Sequence, residues 1–310
     1  MLRITDTRTG RLVEIPAPPR RLLRSHVRLP AIGEGTATGS GIGPLHLRVP
    51  LIGDVLARTA ELNGLQVVTV LTTPELTPER AGALDRVMAV LGIHPPVVVG
   101  AHRPDAALGG PADVHVVAEG TDPDDTRGGA RIEVARVAPV PSPEHVPAPG
   151  ALPGANARDV LAALAAPAAP DAPAAPDATG LQDVAGLQTS TEPEAADPLA
   201  VRLLLLGLPR GTPVTVDGPA LAEARRTLRE WRRSVADWAE EPSRPVPADL
   251  LRQAHTAFAE DLDVAAVLEL LTDVAERPGL APGAKFETFA HLDRVLGLDL
   301  ARDVGRQPRP

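Results

Sequence analysis

Between residues 141 and 196 the chain carries two runs, "PSPEHVPAPGALPGA" and "AAPAAPDAPAAPDATG", that no packed element can hold. Proline has no N–H to give to a ladder, and its ring collides with the preceding turn of a helix. A proline at every third position therefore ends either structure. Alanine offers too little apolar surface to offset the entropy of ordering the backbone. The expectation is a semi-extended linker over 141–196, with one short helix, "ARDVLAALAA", inside it. The chain then divides into a front part, 1–140, a rear part, 197–304, and a tail, 305–310. A length of 310 residues suits about two domains.

The front part changes period repeatedly. Residues 1–15 alternate weakly and read as a strand pair, with "RLVEI" the clearer half. Residues 16–39, rich in Pro, Arg and Gly, read as an extended segment and loop. From Leu51 to Asn63 apolar residues recur at helical spacing, and Gly64 suits the end of that helix. "LQVVTVLTT" is short, apolar and β-branched, the pattern of a buried strand. A second helix follows, with Thr77 as its cap and Pro78 at its first position. "PPVVVGA" and "ADVHVVAEG" read as further strands, and "ARIEVARVAPV" as an edge strand or hairpin. Strands alternating with helices predict an α/β fold with a parallel sheet. The rear part is helical throughout. It opens on Asp197 and Pro198 and continues in amphipathic segments, which predicts a bundle of four or five helices.

Composition narrows the chemistry. Cysteine is absent, which removes disulfides, thiol catalysis and thiolate-bound zinc. Tyrosine is absent and aromatics make up 2%, so the stacking surface used for single-stranded nucleic acid is missing. A net charge of −9 disfavours a polyanion such as DNA. No apolar run approaches the roughly 20 residues of a membrane helix, so no membrane is expected as a partner. The first residues lack the apolar core of a signal peptide, and the cytoplasm is the expected compartment. Lys285 is the only lysine. With so much Ala, Pro and Arg, the bias is that of a GC-rich genome.

Several segments, in order, resemble the bacterial cysteinyl-tRNA synthetases and their relatives the mycothiol cysteine ligases. They are "MLRITDTRTGRLVEI", "GDVLARTAELNGLQVVTV", "ALDRVMAVLGIHPPVVVGAHRP", "ADVHVVAEG", "DPLAVRLLLLGLPRGTPVTV", "EDLDVAAVLELLTDVAE" and "LDRVLGLDLA". The resemblance implies a class I synthetase-type, Rossmann-like nucleotide-binding domain followed by an α-helical bundle. In that family a His-x-Gly-His motif closes on ATP at a helix N-terminus, where free N–H groups and the helix dipole meet phosphate. Aligned on Asp54, the motif falls on Gly43-Pro44-Leu45-His46. Only the last histidine, His46, remains, with Arg48 two residues on as in the family. Leu45 puts a side chain where adenine would rest. The Lys-Met-Ser-Lys-Ser loop, whose second lysine stabilises the developing pyrophosphate charge, has no lysine here. Arg131, Arg136 and Arg158 are not in such a loop. The zinc ligands and the anticodon-reading segment also have no match.

The resemblance thus implies a paralogue that has lost the ATP, zinc and anticodon motifs, a non-catalytic binding or regulatory protein. The alternative is an active ATP-dependent aminoacyl ligase with a rearranged site. Candidate cofactor contacts are Gly41, Gly43, His46, Arg48, Asp113 and His115. Glycines at 39, 41 and 43 suit a phosphate loop or a plain one. Asp113 and His115 stand two apart on a strand, where a carboxylate can orient an imidazole. No catalytic residue is assigned and no metal is expected; ATP is the one cofactor left open. The partner is a nucleotide or a protein, with tRNA as a weaker alternative through Arg225, Arg229, Arg232 and Arg233. "DPDDT", from Asp122, suits an acidic turn better than a cation site.

Overall fold

The computed structural model describes residues 2–15, 21–31, 42–99, 104–122, 126, 128–138 and 197–306. The Ala/Pro-rich stretch, with its expected short helix, and Gly39, Gly41 and Arg158 lie outside the described residues.

The front part is mixed α/β. β1 (Leu2–Asp6) and β2 (Arg11–Ile15) pair antiparallel, as the alternation implies. A five-stranded sheet follows, ordered β5-β4-β3-β6-β7 and parallel at every step. Its strands are β3 (Leu22–Arg28), β4 (Gln66–Thr72), β5 (Val97–Val99), β6 (Val114–Ala118) and β7 (Ala130–Val134). Helices α1 (Pro44–Leu62), α2 (Pro78–Val90) and α3 (Pro104–Leu108) lie between them. "LLRSHVR", within the stretch read as an extended loop, is the central strand. "ARIEV" is an edge strand rather than half of a hairpin. The rest of that segment forms β8 (Val137–Ala138), which pairs with β9 (Val214–Thr215) from the rear part.

α1 begins at Pro44, seven residues earlier than its apolar period suggested, and carries Pro50 inside it. Its first turn is closed by an exchange. Gly43 N–H donates to His46 Nδ1 at 3.0 Å, and His46 N–H donates to the Gly43 carbonyl at 3.0 Å. The imidazole fills the role that Glu or Gln has in a capping box. Further on, α1 lies hard against β3. A Cβ at Gly53 would come within 2.5 Å of Val27 Cγ2, so only glycine permits the approach.

The rear part has five helices among the described residues: α4 (Pro198–Leu206), α5 (Gly218–Trp238), α6 (Ala248–Ala259), α7 (Val264–Glu276) and α8 (Pro282–Leu296). Asp197 caps α4 through Leu199 N–H at 2.9 Å, and Trp231 and Trp238 of α5 meet Phe289 of α8 edge-on. "ADLLRQAHTAFAEDLDVAAVLELLTDVAER" is two helices. The chain breaks at Asp261 and Leu262, both in the left-handed region. Asp261 accepts Thr5 N–H at 2.9 Å, and its own N–H donates to the Arg3 carbonyl at 2.8 Å, so the break is where β1 docks.

One buried group of charges joins the two parts. Asp54 of α1 and Arg202 of α4 meet at 2.6 Å with both side chains fully buried. Arg58 reaches Asp54 at 2.8 Å, and His94 N–H donates to it at 3.0 Å. Arg202 also donates to the carbonyls of Leu91 and Leu296. At the end of α8, Gly297 is left-handed (φ 62°), and a Cβ there would meet the Arg202 guanidinium at 3.0 Å. Removing one member leaves an uncompensated buried charge. Arg202→Met is expected to destabilise the protein by about 3–5 kcal/mol, measured as a fall in the urea unfolding midpoint.

Candidate functional site: a crevice at the strand ends

Connections from β3 run to β4 and β5 on one side, while β6 and β7 lie on the other, so the order reverses between β3 and β6. In open parallel sheets ligands bind beyond the carboxyl ends of the strands at such a point. A cavity of about 430 Å³ lies there, lined by His26, Arg28, Thr72, Glu119, Thr121 and Asp122 among others, with Leu45 from the first turn of α1. Asp122 belongs to the acidic turn; residues 123–125 lie outside the described set.

Three adjacent strands build the floor. His26 of β3 stands in register with His115 of β6. Their Nδ1 atoms are 2.9 Å apart, with the rings nearly perpendicular. On the other side His26 Nε2 is 2.8 Å from Thr72 Oγ1 of β4. The result is a buried chain, Thr72–His26–His115, with one proton between the two Nδ1 atoms. A hydroxyl, an imidazole and a second orienting group at these distances match the geometry of an activated nucleophile. The electrostatics oppose that role. Burial, then the charges of His115 and Arg28, push His26 down to about 3. A base so weak takes no proton from a hydroxyl near neutral pH. His26 is therefore neutral near pH 7, and with Thr72 it forms a hydrogen-bonding floor.

The other residues singled out in the sequence lie apart from this floor. His46 is buried and caps its own helix through Gly43; burial lowers its pKa, opposed by the backbone of Ala31 and Gly43. Arg48 is buried, and its two Nη atoms donate to the carbonyls of Ala135 and Pro209 at 2.7 and 2.8 Å. Asp113 accepts Arg24 N–H at 2.8 Å at the foot of β3, while the neighbour of His115 in the floor is His26. Arg131 is buried on Thr126, Thr121 and Glu133. Arg232 is buried on Asp197 and the carbonyls of Leu298 and Asp299, so the four arginines of α5 do not form one exposed face.

His26 and Thr72 were not singled out beforehand. His26 stands among Arg24, Ser25 and Arg28 with no local signal of a site, and its partners lie 46 and 89 residues away in the chain. Among the described residues no group of three or more His, Asp or Glu could hold a metal ion, and no helix is long and apolar enough to cross a membrane. No known family model matches the chain, and no curated protein matches it.

The depressed pKa of His26 has a pH signature. The unfolded chain takes up this proton near 6.5, the folded one only near 3. The contribution of neutral His26 is complete above 6.5 and is lost as the pH falls toward 3, at up to about 1.4 kcal/mol per pH unit. His26→Phe should flatten the acid limb of stability against pH by about one proton, read from urea midpoints across that range.

Proposed function

We propose that this chain is a non-catalytic binding protein on a class I synthetase-like, nucleotide-binding fold related to the cysteine-activating ligases. Its ligand, a nucleotide or similar small molecule, lies in the crevice at the carboxyl ends of β3, β4 and β6. The parallel sheet with a bundle behind it supports the fold reading, and the cavity at the switch point supports the place of binding. One observation carries the loss of catalysis: His46 and Arg48 hold the chain's own backbone together. Adenylate formation needs cations aimed at phosphate, and Arg48 donates to the buried Ala135 carbonyl and to the carbonyl of Pro209 instead. The weak basicity of His26 agrees with this reading.

ATP–pyrophosphate exchange tests the proposal. The full chain, assayed with each of the twenty amino acids, is expected to show no exchange above the enzyme-free blank. Cysteine-dependent exchange that disappears in His46→Ala would overturn the proposal in favour of an active aminoacyl ligase.

A further inference from the structure

A second cleft, about 500 Å³, opens away from the strand ends between β1, the end of α1 and α6. On its wall, His255 of α6 meets His291 of α8. Their Nε2 atoms are 2.9 Å apart, the ring centroids 5.2 Å apart, and the planes 18° from parallel. Nothing in the crevice uses this pair. We propose that His255 and His291 form a two-histidine site for a late first-row transition-metal dication, Cu²⁺ above all, which clasps α6 to α8.

The spacing suits such an ion. Two imidazole nitrogens bound at about 2.0–2.1 Å stand about 2.9 Å apart at a right angle and about 3.3 Å apart at a tetrahedral one. The pair already lies at the lower figure. The two rings now point at each other along one hydrogen bond, and a turn of each by about 45° off that line brings both lone pairs onto one point. In the metal-free pair one ring carries its proton on Nε2 and the other on Nδ1. On metal binding the first moves its proton to Nδ1, so no net proton is lost. Both rings are in the neutral, ligand form at neutral pH. Burial lowers the pKa of His255. For His291 burial acts first, then the charges of His255 and Arg294.

No third protein ligand joins the pair among the described residues, so water from the cleft completes the coordination. The surrounding charges decide which ions are accepted. Arg252 lines the same cleft, Arg294 lies beside His291, and Glu260 is paired with Arg3. A hard cation such as Mg²⁺, held by charge through oxygen ligands, finds one carboxylate, Glu260, and that one is paired with Arg3. A metal that gains strong bonds to imidazole nitrogen tolerates the setting, with Cu²⁺ ahead of Zn²⁺.

The test is calorimetric titration of the full chain, without a polyhistidine tag, with CuCl₂, ZnCl₂ and MgCl₂. One Cu²⁺ per chain is expected at this site, Zn²⁺ more weakly, and Mg²⁺ not at all. His255→Gln and His291→Gln should each weaken Cu²⁺ at least tenfold, while His94→Gln, at an exposed position, changes nothing. Glutamine keeps the bulk and a hydrogen-bonding end, and circular dichroism of the metal-free variants verifies their fold. Cu²⁺ should raise the unfolding midpoint of the parent and not of the two variants. Unchanged Cu²⁺ affinity in both variants, or no stoichiometric Cu²⁺ binding by the parent, would overturn the proposal.

Discussion

The buried contact between Asp54 and Arg202 is the joint on which the arrangement of the two parts rests. Two charges taken out of water cost more than their attraction returns unless further hydrogen bonds complete them. Here Arg58, the His94 N–H and the carbonyls of Leu91 and Leu296 do so. A pair of this kind adds less to net stability than to the choice of one arrangement, because every alternative leaves a charge stranded. It sets α4 and the end of α8 against α1. The close approach of α1 to β3 at Gly53 then sets the first turn of α1 beside the strand ends. Leu45 of that first turn forms part of the crevice wall.

The same device recurs. Arg48, Arg131 and Arg232 are buried, and each donates several hydrogen bonds to backbone carbonyls or carboxylates. Arginine suits this because its five donors lie in one rigid plane and its charge never leaves. Together with Arg202, these buried arginines work as internal bracing. The floor of the crevice offers hydrogen-bonding groups instead, the neutral imidazole of His26 and the hydroxyl of Thr72.

Features set by a few neighbouring residues were readable in the sequence. The caps at Thr77 and Asp197, the stop at Gly64 and the strand pair at the start all stand as the local chemistry implies. What depends on distant partners was not. The central strand β3 has Arg24, Ser25 and His26 in its middle, so it shows neither an apolar run nor a clean alternation. It is a buried strand because β4 and β6 flank it and pair with its histidine. α1 starts early because His46 caps it and Pro44 suits its first turn, while Pro50 hides that continuity. The long segment from Ala248 divides in two because β1 docks on Asp261. Of the candidate site residues, His115 lies behind the crevice floor, against His26. Gly43, His46, Arg48 and Asp113 act through contacts that hold the fold, and Gly41 lies outside the described residues.

The central claim is that His46 and Arg48 serve the fold rather than a nucleotide. Its most direct measurement pairs the urea midpoints of His46→Ala and Arg48→Met with their ATP–Mg²⁺ affinities, each against the parent chain. Arg48→Met strands the buried Ala135 carbonyl and removes the bond to the Pro209 carbonyl, and should lower stability by about 1–3 kcal/mol, with a smaller loss for His46→Ala. ATP–Mg²⁺ affinity should be the same in all three proteins. Unchanged midpoints together with a fall in ATP affinity would contradict the account and return both residues to a working nucleotide site.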